Sequence, residues 1–251
     1  MELWQLVLGA AASAFGVHWW QQMRVRREYD WSIGQFDEAA QVMFHVARHE
    51  AETRRQQLSS IHLLYGLLQD ETIVAALAHA GCAVESLEDR VLAVIAANEP
   101  LAPDDGVLTM TVAAARGRVN SRPPGCIDVW AALDHCAAAS VLDDHGVDRG
   151  RVLFALAHPT GDSPLELPGV GDVYVVLRND DFTTFELVVR VLCEQFGYSE
   201  ADARALARKV HLEGRGVIAR ASQHDARAKI LAARALAHEQ RCPLWIGIEP
   251  T

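Results

Sequence analysis

Lysine is almost absent from this sequence of 251 residues, which contains only Lys209 and Lys229. Neither lies in a G-x-x-x-x-G-K-[ST] motif, so the chain has no P-loop for nucleotide phosphates. The 33 acidic residues outnumber the 23 basic ones, and the formal charge is −10. Because a surface that binds nucleic acid is basic, this balance argues against such a partner. If the chain takes part in ATP-driven work, another chain supplies the ATPase.

The sequence also lacks the paired motifs of metal and redox sites. Its five cysteines are scattered and never form C-x-x-C, which predicts a reducing compartment without a disulfide framework or a zinc ribbon. His45 and His49 are four residues apart, and residues 143–145 read DDH, but neither group has a third metal ligand at suitable spacing. Because no nucleophile and base are paired, we predict that the chain is not an enzyme and needs no cofactor or metal.

Residues 3–20 form the one long apolar run, with three polar residues. About 18 helical residues nearly cross a hydrocarbon layer of ~30 Å. Tryptophans lie near both ends, and arginines follow the run, as at a membrane–cytoplasm boundary. We therefore predict a single-pass anchor at residues 1–23 in the inner (cytoplasmic) membrane, with the C-terminal domains in the cytoplasm. The alternative is a buried or membrane-surface helix, in a cytoplasmic protein.

Residues 36–98 have the apolar periodicity of consecutive amphipathic helices. Part of this pattern then recurs: residues 60–67 (SIHLLYGL) align with 126–133 (CIDVWAAL), 66 positions later. Residues 77–81 (LAHAG) align in the same way with 142–146 (LDDHG), 65 positions later. The recurrence predicts one helical domain that is built from two copies of a repeat.

Residues 36–157 resemble the double-repeat N-terminal domain of the Clp AAA+ unfoldases. The resemblance rests on the helices at 44–50 (FHVARHE) and 60–68 (SIHLLYGLL) and on the partial second copy. The second copy departs from the pattern at residues 122–125 (RPPG). The resemblance implies a domain that docks adaptors and substrates and has no catalytic role.

A linker rich in proline and glycine, residues 158–172, precedes a C-terminal domain at residues 173–251. This domain alternates strands and helices, and its three strands are too few for a parallel α/β fold. We therefore predict an α+β protein whose last domain has a small three-stranded antiparallel sheet against three helices. The expected order is strand 173–177, a capping box at 183–186 with a helix to Gly197, a helix from Ser199 to His211, strand 216–221, helix 225–240 and strand 243–248.

Residues 171–250 resemble the ClpS family, bacterial adaptors that read N-terminal degrons. The resemblance rests on residues 176–183 (VLRNDDFT) and 210–216 (VHLEGRG), whose spacing and order match the family. It implies a site for the free α-amino group and the bulky first side chain of a substrate protein.

By position in the family pattern, Asn179, Asp181 and His211 would hold the ammonium group, with Asp180 and Thr183 nearby. An ammonium has three donors and no acceptor, so amide, carboxylate and imidazole acceptors suit it. The alternative is local: Asp181 or Thr183 would cap a helix, and His211 would end one.

The resemblance also implies an apolar pocket for the first side chain. Many family members have methionine at the positions of Phe185 and Ala207. The ring stiffens one wall and the alanine removes bulk from another, so we expect a shifted preference among Leu, Phe, Tyr and Trp. The expected lining is Phe185, Val188, Leu192, Ala207 and Val210.

The implied function is an adaptor that delivers such substrates from the membrane surface to a ClpA-type AAA+ unfoldase and its protease. Lys229 matches a lysine that the family uses for docking on the unfoldase, whereas His224 stands where the family has an acidic residue. The alternative is a regulatory decoy that sequesters adaptors or substrates through its unfoldase-like domain and inhibits proteolysis.

Overall fold

The structure is a computed structural model with two hydrophobic cores. We refer to residues 33–161 as the helical unit and to residues 171–251 as the sheet unit. The residues that the structure describes are 33–97, 112–117, 122–161, 165–168 and 171–251.

The helices of the helical unit bury one face each around a shared core. In the first helix, residues 40, 43, 44, 47 and 51 are buried, which is the spacing of one helical face. Asp37 caps this helix, since its Oδ1 accepts a hydrogen bond from the Ala40 amide at 2.8 Å. Besides a helical stretch at 112–117, the helices are α1 (Glu38–Thr53), α2 (Ser60–Leu67), α3 (Glu71–His79), α4 (Val84–Ala96), α5 (Cys126–Ala132), α6 (Ala137–Asp144) and α7 (Arg149–Ala157).

The aligned segments of the predicted repeat end in the same kind of turn. Gly81 and Gly146, 65 positions apart, both have positive φ, at 88° and 73°. In each case the next residue closes the same turn: the Cys82 amide donates to the carbonyl five residues before it, and so does the Val147 amide. These hydrogen bonds form the glycine-terminated helix end that a left-handed residue permits. The same turn also follows Arg55 and Arg241, so it is not specific to the aligned segments, and the repeat stays a prediction.

The sheet unit has the predicted three-stranded antiparallel sheet, in the order β2-β1-β3, which also confirms the α+β class. Its central strand buries Val173, Val175 and Leu177 in a core that the helices cover. The elements are β1 (Asp172–Arg178), α8 (Phe185–Phe196), α9 (Glu200–Glu213), β2 (Arg215–Ser222), α10 (Gln223–Glu239) and β3 (Trp245–Pro250).

Most helix boundaries in the sheet unit follow the predicted capping residues. Gly197 ends α8 with φ 73°, and Ser199 caps α9 by accepting a hydrogen bond from the Asp202 amide. The capping box predicted at Thr183 is wrong by one residue. The cap is Thr184, whose Oγ1 accepts from the Leu187 amide at 3.3 Å, because Thr183 donates its hydroxyl to a neighbouring carboxylate instead.

The prediction of a single-pass membrane protein requires correction. The anchor predicted at residues 1–23 lies outside the described residues. Within the described part of the chain, no helix is long and apolar enough to cross a membrane. The helix α10 has 17 residues and carries charged side chains along its length, whereas a span needs about 20 apolar residues. The inner-membrane localisation is therefore not supported.

The described part of the predicted linker lies against the sheet unit. The Gln223 side chain accepts a hydrogen bond from the Leu167 amide at 2.6 Å and donates one to the Leu167 carbonyl at 2.9 Å. Leu165 and Leu167 pack against the core of the sheet unit. At the start of the linker, the Trp245 indole donates to the Gly161 carbonyl at 3.0 Å. These contacts fasten the linker at two points.

Candidate functional site

The two sequence motifs meet where β1 and α9 end. Gly214 ends α9 in the left-handed region, with φ 78°. Its carbonyl accepts a hydrogen bond from the Asn179 amide at 2.8 Å, which fastens the end of β1 to the end of α9. As a result, Asn179 Oδ1 and His211 Nδ1 lie 3.1 Å apart although the residues are 32 positions apart in sequence.

This contact determines which acceptors remain available. An amide oxygen accepts a hydrogen bond but does not donate one. In this contact the hydrogen is therefore on His211 Nδ1, which donates to Asn179 Oδ1. A neutral ring then keeps a lone pair on Nε2. Asn179 Oδ1 also has a second lone pair, and the His211 side chain is exposed. The pair therefore presents two acceptors, one at Asn179 Oδ1 and one at Nε2 on the far side of the His211 ring.

Asp180 and Asp181 are neighbours in entirely different surroundings. The Asp180 side chain is 3% exposed, and its oxygens accept hydrogen bonds from the amides of Phe182 (2.8 Å) and Thr183 (2.6 Å) and from the Thr183 hydroxyl (2.8 Å). Asp180 thus holds the loop that follows β1. The Asp181 side chain is 49% exposed and remains accessible. The direct roles of Asp180 and Thr183 in binding a peptide stay predictions.

The predicted apolar lining lies on the two helices next to this loop. Leu192, Ala207 and Val210 are at most 4% exposed, whereas Phe185 and Val188 are half-buried at the edge of the core. The contact between α9 and β2 is close, because a Cβ on Gly216 would lie 2.8 Å from Val210 Cγ2.

An arginine of the helical unit reaches the loop, a contact that sequence reasoning missed. Arg122 Nε lies 3.5 Å from Asp181 Oδ2. The same guanidinium donates to both oxygens of Asp128, at 2.8 and 3.3 Å. Asp128 is 0% exposed, and its hydrogen bond with the guanidinium is the main cause that raises the pKa of Arg122. The RPPG run at 122–125 marked a departure from the repeat pattern, but it gave no indication of a contact with the sheet unit.

The loop also inserts a side chain into the helical unit. Phe182 is 8% exposed and belongs to the core of the helical unit. His158, itself 8% exposed, lies under the loop, with Nε2 2.7 Å from the Pro243 carbonyl and 3.7 Å from Asp180 Oδ2. The motif that carries the candidate site is therefore also the surface on which the two units meet.

A cleft of about 1040 Å³ lies between the units, and its lining includes neither the loop 179–184 nor the predicted apolar lining. Arg122 and His158 line it from the helical unit, and Arg234 and Leu244 line it from the sheet unit. Within the described residues, no three side chains of the metal-ligating types lie together as a metal site.

The residues predicted to dock on an unfoldase lie on α10. The Lys229 ammonium lies 5.5 Å from the centre of the Phe196 ring, within the range of a cation–π contact. His224 is exposed in the first turn of the same helix. Their docking role stays a prediction.

Comparison with known proteins identifies the class of the sheet unit. Residues 171–247 match the family model described as "ATP-dependent Clp protease adaptor protein ClpS". The ClpS adaptor of Acetivibrio thermocellus is 38% identical over 76 residues, which are 30% of this chain and 77% of that protein. The adaptor of Myxococcus xanthus is 42% identical over 76 residues, 30% of this chain and 71% of that protein.

A solved structure, that of Agrobacterium tumefaciens ClpS2 bound to L-phenylalaninamide, is 32% identical and covers 32% of this chain and 98% of that chain, with a TM-score of 0.32. Through residues 171–247, the chain belongs to the ClpS family of Clp protease adaptors. This membership fits the prediction that the chain is not an enzyme. The resemblance of the helical unit to unfoldase N-terminal domains stays a prediction, and the decoy alternative is without support.

Proposed function

We propose that the sheet unit binds the free N-terminus of substrate proteins that begin with a bulky apolar residue. The chain then delivers these proteins to a Clp protease with a ClpA-type unfoldase. The observation that supports the proposal is the contact between Asn179 Oδ1 and His211 Nδ1, 3.1 Å apart, with the exposed Asp181 two residues after Asn179.

The acceptors suit an ammonium group because none of them brings a positive charge of its own when His211 is neutral. Asn179 Oδ1 and His211 Nε2 offer lone pairs, and Asp181 adds a carboxylate. Hydrogen bonds in which one partner is charged contribute about 1.5–3 kcal/mol each. Acetylation of the peptide removes the charge and two of the donors, so the acceptors would lose their ligand.

The half-buried Phe185 and Val188, at the edge of the buried Leu192 and Ala207, suit an apolar first side chain. Burial of a Leu or Phe side chain contributes about 1.5–3 kcal/mol. After the cost of association, these contributions correspond to a transient complex with a Kd of about micromolar. Such an affinity is appropriate to an adaptor that has to release its cargo.

Calorimetry of the full chain with peptides that begin with Leu or Phe tests the binding step. The free peptides should bind, and their acetylated forms should bind at least about tenfold more weakly, since they lose a charge-assisted contact. Equal binding of the acetylated forms would overturn the proposal.

The variant Asp181→Asn tests the site itself. It should weaken the binding of a Leu-starting peptide about tenfold, because it removes the carboxylate charge without changing the shape of the side chain. The matched control is Asp89→Asn, an exposed position on α4, which should leave the affinity unchanged.

A degradation assay with purified ClpA-type unfoldase and its protease tests the delivery step. The full chain should accelerate the degradation of a Leu-starting substrate. The variant Lys229→Ala should reduce this acceleration without changing the affinity for the peptide. Slower degradation on addition of the chain would instead favour the decoy.

A further inference from the structure

The guanidinium of Arg122 is a fixed feature of the candidate site. It donates to both oxygens of Asp128, which is buried and also accepts a hydrogen bond from the Gly125 amide at 2.7 Å. Asp128 lies in the first turn of α5, so its position is set by the helix. Arg122 therefore stays close to Asp181 whether or not Asp181 binds another cation.

Binding of a peptide would exchange the partners of Asp181. Arg122 Nε lies 3.5 Å from Asp181 Oδ2, and the two side chains are 37% and 49% exposed, so their interaction is weak. A peptide ammonium that takes Asp181 brings a second cation next to the guanidinium. Two positive charges that share one carboxylate repel each other unless a second anion lies beside them.

The substrate can supply that anion from its second residue. In an extended peptide the Cα of the second residue lies about 5 Å from the α-amino nitrogen. An Asp or Glu side chain at that position spans the remaining distance to a group that borders Asp181. Arg122 also lines the cleft between the units, and its side chain is 37% exposed.

We propose that Arg122 makes the site selective for substrates with Asp or Glu directly after the apolar first residue. The Asp181–Arg122 pair exchanges for two new pairs, ammonium with Asp181 and substrate carboxylate with Arg122. The helical unit thereby takes part in reading the substrate. This inference rests on the proposed function, since it concerns the residue that follows the bound N-terminus.

The test compares three free peptides that differ only at the second position, Leu-Glu, Leu-Gln and Leu-Lys, in calorimetry with the full chain. The Leu-Glu peptide should bind about fivefold more tightly than Leu-Gln, the factor that corresponds to about 1 kcal/mol. The Leu-Lys peptide should bind most weakly. The difference should decrease at high salt because both groups remain partly exposed.

The double variant Arg122→Gln with Asp128→Asn removes the cation without leaving a buried carboxylate unpaired. Its affinities for the three peptides should converge, while its binding of Leu-Gln shows that the site is folded. Arg122→Lys should keep part of the preference. Arg90→Gln, at an exposed position on α4, is the matched control and should keep all of it.

Equal affinities of the wild type for Leu-Glu and Leu-Gln would overturn this inference, and so would a preference that persists in the double variant. In both cases, binding of Leu-Gln that acetylation abolishes would leave the proposed function intact. If no free peptide binds to the wild type, both proposals fail.

Discussion

The two segments of the predicted repeat begin their aligned helices, α2 and α5, with different side chains. In the first copy the neutral ring of His62 closes the start: its Nδ1 accepts from the Ser59 amide, and its Nε2 lies 3.1 Å from Gln56 Oε1. In the second copy the carboxylate of Asp128 accepts from the Gly125 amide. Both side chains are 0% exposed.

The difference teaches how a local change creates a long-range contact. A buried neutral ring needs only hydrogen-bond partners, whereas a buried carboxylate also needs a counterion. Arg122 is that counterion, and its Nε lies 3.5 Å from Asp181 Oδ2 of the sheet unit. The charged cap therefore connects the second copy to the candidate peptide site.

Phe182, which inserts from the loop of the sheet unit into the core of the helical unit, should give the largest loss of stability when it is truncated. The variant Phe182→Ala should lower the free energy of unfolding by about 3 kcal/mol, because it leaves a cavity in the core of the helical unit. Urea denaturation measures this loss. Leu231→Ala, at a side chain that is 47% exposed on α10, should change stability by less than about 0.5 kcal/mol. A similar small loss for Phe182→Ala would contradict the packing described.

Loss of the counterion Arg122 should lower the free energy of unfolding more than loss of the neutral cap His62. Arg122→Gln should lower the free energy of unfolding by about 2 kcal/mol, somewhat less than for a fully buried pair because Arg122 is 37% exposed. His62→Gln in the first copy should lower it by about 1 kcal/mol, the loss of a neutral hydrogen bond.

Urea denaturation of these two variants, together with the Arg122→Gln, Asp128→Asn double variant, measures the difference. The double variant should recover most of the loss, because it buries no unpaired charge. No recovery would mean that Asp128 does not depend on Arg122.

A pH titration of stability should reveal the neutral cap of the first copy. Burial is the main cause that lowers the pKa of His62 below its ordinary 6.5, and Glu50 opposes the shift. Below pH 6.5 the unfolded chain therefore binds more protons at this residue than the folded chain. The contribution of His62 to stability should be complete above pH 6.5 and should decrease as the pH falls below it.

The measurement compares unfolding at pH 7 and pH 5.5 in wild type and in His62→Gln. The wild type should lose more stability, by up to about 1 kcal/mol. His79→Gln, at an exposed position, should behave as the wild type does. If His62→Gln loses as much stability as the wild type, His62 is not the group that titrates.

Local signals predicted the sheet unit well. The glycine that ends α8, the serine that caps α9 and the spacing of the two motifs are properties of short segments, and each determines its own geometry. The cap of α8 was misplaced by one residue because two threonines adjoin and Asp180 engages the first.

Contacts between distant segments were not predictable in the same way. The Arg122–Asp181 pair depends on how the two units pack, and no local pattern specifies that arrangement. The opposite surroundings of Asp180 and Asp181 likewise depend on which side chain turns into the loop, a choice that the sequence Asn-Asp-Asp leaves open.

The fastened linker sets the effective concentration at which the helical unit is held near the loop of the sheet unit. Gly161 and Leu167 are both held by the sheet unit, so the helical unit is tethered by a very short segment. A short tether corresponds to an effective concentration of about millimolar or above. After each opening the second copy would thus return to the loop far sooner than a separate domain could arrive. In the proposed exchange, a substrate would compete with a group of the helical unit that stays tethered beside the loop.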